Sequence, residues 1–192
     1  ELTISVQKRE HDYLIDIVIP DRSGLLSLVS GVLNVLRLDV RSARTKTVNE
    51  CAVMQWIVIA DPHAPKVTSE ILKGQILMAI EDSRELAERI QARIKAYATL
   101  PTIPVPAPVV ETFTDGATDA TIIEIRTHDR PALLFNIGDV ITQCNVDIRS
   151  AIVTTLGAEA IDTLYLREFG GGALAGERVE EVANKVKAAL LK

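Results

Sequence analysis

Two stretches decide the fold: Asp21-Arg22-Ser23-Gly24-Leu25-Leu26 and Asp129-Arg130-Pro131-Ala132-Leu133-Leu134. They lie 108 positions apart, and so do Asp39-Val40-Arg41-Ser42-Ala43 and Asp147-Ile148-Arg149-Ser150-Ala151. One offset for two separate motifs means that nothing is inserted between them. The apolar sites keep the same offset. Leu25, Leu26, Val29, Val32, Leu33 and Leu36 fall on Leu133, Leu134, Ile137, Val140, Ile141 and Cys144. The chain therefore reads as two copies of one unit.

Outward from each turn, the order of elements repeats. Tyr13–Ile19 and Thr121–Arg126 alternate apolar and polar residues, as half-buried strands do. Helices are expected at 23–37 and 131–144, where apolar residues recur at steps of three and four. Asp21 or Ser23 is the expected cap of the first helix; Asp129 with Pro131 suits the start of the second. Strand pairs follow at 39–48 with 51–60 and at 146–155 with 159–168. Leu156-Gly157-Ala158 and Asn49 supply their turns. Closing helices are expected at 66–80, restarting near Ser83, and at 176–192.

This is an α+β pattern of two ferredoxin-like βαββα(β) modules, with antiparallel sheets and helices on one face. The expected division is a first module at 1–97, with a leading segment and long C-terminal helices; a Pro-rich linker at 98–118; and a second module at 119–192. Pro101, Pro104, Pro106 and Pro108 stiffen the linker. Residues 109–113 are β-prone and are read as the missing fourth strand of the first sheet. Unpaired strand edges invite pairing. The two sheets are thus expected to lie edge to edge, or to meet another chain in a homodimer.

Composition narrows the function. The 192 residues carry a net charge of −5, and aromatics are only 4%. Neither favours nucleic-acid binding, which needs clustered cations or stacking platforms. An RNA reader on this fold would show matched aromatics on its strands, whereas Trp56 and Tyr165 stand at different repeat positions. No apolar run reaches membrane-spanning length. Cys51 and Cys144 read as reduced core thiols in a cytoplasmic protein. Glu1 follows no leader pattern and is read as a cut end within a longer chain. His11, His63 and His128 form no ligand or catalytic set, and Gly170-Gly171-Gly172 lacks the Lys-Ser/Thr of a phosphate loop. No catalytic activity, metal or cofactor is expected.

Binding is a different matter. A strand-to-helix turn presents unpaired N–H groups that attract a carboxylate. Beside them, Asp21 offers an acceptor for an ammonium group, and Gly24 leaves room for close approach. A free zwitterionic amino acid has both charges at that spacing.

Asp-Arg-x-Gly-Leu-Leu after a strand, then Asp-Val-Arg-Ser-Ala and a hairpin, resembles the ACT domain family over nearly the whole chain. That resemblance implies amino-acid binding and regulation of attached enzymes. The tandem with a Pro-rich joint is similar to the C-terminal region of bifunctional PII uridylyltransferase/uridylyl-removing enzymes. Their actinobacterial relatives adenylylate PII, and there the ACT pair senses glutamine. The implied ligand-binding residues are Asp21, Arg22, Ser23, Gly24 and Leu25, and Asp129, Arg130, Pro131, Ala132 and Leu133. Ala132 stands where the family usually has glycine, and its methyl is expected to narrow the second site. The implied partners are a free amino acid, glutamine above all, and the attached catalytic domains. A ligand-free dimerisation or docking module is the alternative.

Overall fold

The computed structural model describes residues 1–97, 104–114 and 119–192. Pro101 and residues 115–118 of the expected linker lie outside the described residues. The first half runs β1 (Thr3–Lys8), β2 (Tyr13–Pro20), α1 (Leu25–Val35), β3 (Leu38–Val48), β4 (Cys51–Ala60), α2 (Ser69–Glu81) and α3 (Ser83–Tyr97). The second runs β5 (Val109–Thr114), β6 (Thr121–His128), α4 (Leu133–Gln143), β7 (Val146–Leu156), β8 (Glu159–Glu168) and α5 (Gly176–Leu190).

All eight strands form one antiparallel sheet in the order β1-β2-β4-β3-β7-β8-β6-β5. The expected edge-to-edge meeting thus occurs within the chain, through β3 and β7. At the centre of that seam Arg44 pairs with Ile152, its own counterpart 108 residues on. Residues paired with their own equivalents are the mark of a two-fold interface, here made by one chain. Each half also carries a bulge at the same place, Val40/Ser42 and Ile148/Ser150. An extra residue there bends the strand and re-aims its side chains.

One face of the sheet holds the core. Ile15, Ile17, Met54, Trp56, Ile123, Ile125, Leu164 and Leu166 are all buried beneath the helices. Across the seam α1 lies against α4. Ser27 Oγ donates to the Phe135 carbonyl at 2.9 Å, and a Cβ on Gly138 would come within 2.9 Å of the Ser27 Cβ. Glycine is required there by a close helix approach.

Two expectations are corrected. The leading segment contains β1, which pairs along β2 and fills the outer edge of the first half. Strand β5 therefore cannot be the fourth strand of the first sheet; it pairs with β6 of the second half. A short connection to β6 closes at less entropic cost than a return across α3 to the far edge. The helix caps also differ. Gly24 (φ 81°) and Ala132 (φ 59°) are the N-caps, both left-handed, and neither helix has a side-chain cap bond. Asp21 turns away from α1 and accepts a hydrogen bond from Thr47 Oγ1 at 2.6 Å.

Candidate functional site: paired clefts at the seam

Each strand-to-helix elbow is anchored identically. The Asp21 N–H donates to the Glu50 carbonyl at 2.9 Å, and the Asp129 N–H to the Ala158 carbonyl at 2.8 Å. These acceptors belong to the hairpin turns β3–β4 and β7–β8, so each elbow is tied to its own half. Across the seam each elbow faces the other half. Asp21, Arg22, Gly24 and Leu25 line one cleft with Asp147, Ile148 and Gly138; Asp129 to Leu133 line the other with Asp39, Val40, Ser30 and Asn34. The repeated Asp-Val/Ile-Arg-Ser-Ala motif thus supplies one wall of the opposite cleft. Its recurrence was visible in the sequence, but its role needed the seam.

Not every expected site residue turns inward. Ser23 is exposed and does not line either cleft. Arg130 reaches the end of α5, donating to the Ala189 carbonyl at 3.1 Å. Among the described residues, no group of three or more His, Cys, Asp or Glu side chains could hold a metal.

The clefts differ in size, and in the direction opposite to expectation. The cavity beside Ala132 holds about 60 Å³ and that beside Gly24 about 20 Å³. Ala132 is buried, shares the left-handed backbone of Gly24 and lines the larger cavity without closing it. A Cβ on Gly24 would stand in ordinary contact with the Thr142 side chain, at 3.6 Å. The larger cavity adjoins an open cleft of about 350 Å³ that shares Asn34, Leu38, Asp39 and Pro131 with it.

They differ in charge as well. In the Gly24 cleft, Asp147 accepts two bonds from Arg167, both at 3.0 Å, and Asp21 is held by Thr47. In the Ala132 cleft, Ile59 stands at the position of Arg167 and leaves Asp39 with a 3.4 Å contact to Arg41. Thr155, the counterpart of Thr47, donates to the Val40 carbonyl and not to Asp129. Burial raises the Asp129 carboxyl above the ordinary range, and the nearby Asp39 adds to that. Arg41, the Arg130 N–H and His128 pull it back. Deeper, Asp162 on β8 is 1% exposed, and burial with help from Asp129 pushes its carboxyl up to about 7. The first half has Met54 in its place. Asp39, Asp147, Asn34 and Asp162 are the lining residues that sequence reasoning missed.

Comparison with known proteins fits this architecture. Residues 2–81 match the family described as plant bHLH transcription factor, ACT-like domain. The first half thus resembles an ACT-like domain, and the second repeats its fold strand for strand. More particularly, the chain is a homologue of bifunctional uridylyltransferase/uridylyl-removing enzymes. It is 31% identical to the one from Streptomyces coelicolor over 91% of its length, and 29% identical to that from Ruegeria pomeroyi over 79%. It covers 22% and 17% of those proteins, about a fifth of their length. Among solved structures, aspartate kinase from Synechocystis aligns over 96% of this chain and 28% of its own, with a TM-score of 0.48 and 12% identity.

Proposed function

We propose that this chain is the amino-acid-sensing regulatory region of a PII-modifying nucleotidyltransferase, responsive to glutamine and without catalytic activity of its own. One observation carries the reading: both elbows open onto clefts built jointly by the two halves. A ligand in such a cleft touches both modules at once. It therefore favours one arrangement of the halves and can bias domains attached to the chain. Coupling of this kind amounts to about 1–3 kcal/mol. The ligand's carboxylate would sit at the unpaired N–H groups of the α4 or α1 start, and its ammonium group beside Asp129 or Asp21.

Titration calorimetry of the chain with the amino acids tests this. We expect heat with glutamine, and weakening by about tenfold on Asp129→Ala or Asp21→Ala, the loss of one hydrogen bond to a charged group. A folded chain that gives no heat with any amino acid is a ligand-free docking module and contradicts the proposal.

A further inference from the structure

The two clefts are equivalent in backbone and unlike in chemistry. The Asp21 cleft satisfies its own acids: Arg167 holds Asp147, and Thr47 holds Asp21. The Asp129 cleft leaves its acceptors unmet. Asp162 Oδ1 and Asn34 Oδ1 both line it, both are shut off from solvent, and neither has a hydrogen-bond partner. Leaving a buried acceptor unsatisfied is costly, and native structures contain few. Asp162 lies between Ile125 and Val153 on the neighbouring strands, so the sheet gives it no donor. Among the cavity's other polar residues Asp129 and Asp39 are also acceptors, while the donors Arg130, Ser30 and Thr155 are turned to the Ala189, Ser27 and Val40 carbonyls.

Resting on the amino-acid reading above, we propose that Asp162 and Asn34 take the N–H-bearing side-chain end of an amino acid bound in the Asp129 cleft. The Asp21 cleft, with Met54 in that position, lacks this selectivity. A donor end, amide or amine, satisfies both orphaned oxygens. Once Asp162 has lost its proton, above about pH 7, a carboxylate end adds a fourth negative group to Asp39, Asp129 and Asp162 and is rejected. Sites built to hydrogen-bond a donor discriminate strongly against an analogue that lacks it, because their own buried groups are then left unpaired.

Glutamine and glutamate are the probes, since they differ chiefly in that one group. We expect calorimetry on the unaltered chain at pH 8, where Asp162 is ionised, to give glutamine the higher affinity by about tenfold or more, a hydrogen bond to a charged group. Asp162→Met copies the first half's own residue, and Met54 is 2% exposed in the equivalent position. It should abolish most of that preference by weakening glutamine alone. Asp162→Asn, which keeps the shape, should lose part of it. Met54→Leu in the other cleft should leave the preference unchanged. An Asp162→Met chain that folds and keeps the full preference overturns the inference and leaves the sensor reading intact. So does a chain that binds only apolar amino acids. Silence with every amino acid overturns both.

Discussion

Asp162 is the residue on which chemistry and stability pull apart. The folded chain keeps its proton up to about pH 7, whereas an exposed aspartic acid releases it near pH 4. Between those values the folded state binds more protons than the unfolded state. Stability attributable to this group therefore falls as pH rises through that window and is flat above it. Asp129, also raised by burial, pushes in the same direction. The charged groups that act on this pair are Asp39 and Arg41 from β3 and His128 from β6. Asp162→Met removes the buried acid. We expect its melting temperature to exceed that of the unaltered chain by roughly 2 °C or more at pH 8, on a scale of about 2–4 °C per kcal/mol. The gain should shrink at pH 4. Equal gains at both pH values would show that the carboxyl does not titrate as described. A group that costs stability in the empty protein and faces a cavity is expected where function outweighs packing.

At the scale of elements, most of the fold was legible because it was written twice. The apolar steps of α1 and α4 and the alternation of β2 and β6 survive the 108-residue shift, and no single-copy reading explains that. The edge strands were harder. β1 and β5 carry mixed patterns with mostly exposed residues, so periodicity gave them little voice. Their pairing was decided by which edges remained free. The helix starts misled for a different reason. Asp21 looks like a cap from spacing, but Gly24 already turns the chain through a left-handed residue, and Asp21 is drawn to Thr47. Gly138 gives a direct trial of the helix layer. A methyl there meets both the Ser27 Cβ at 2.9 Å and its backbone at 3.2 Å. Since backbone cannot step aside as a flexible side chain would, Gly138→Ala should destabilise by about 1–3 kcal/mol in urea denaturation. A change below measurement error would mean that α1 and α4 are not held so close.

The whole molecule is a pseudo-dimer made from one chain. The β3–β7 seam joins the halves, and the two clefts flank it. Covalent linkage of the repeats has allowed the two sites to diverge, as Asp162 against Met54 and Ile59 against Arg167 record. None of that divergence could be weighed from the sequence, where the elbows look alike and the walls are supplied from 89 to 127 residues away in the other repeat. No helix among the described residues is long and apolar enough to cross a membrane. The most direct measurement is a ¹H–¹⁵N correlation spectrum of the chain recorded during addition of L-glutamine. The account predicts saturable shifts concentrated at residues 129–135 and 38–40, the two sides of one cleft from opposite halves. Shifts confined to one half, scattered over the open face of the sheet, or absent at saturating amino acid would contradict it.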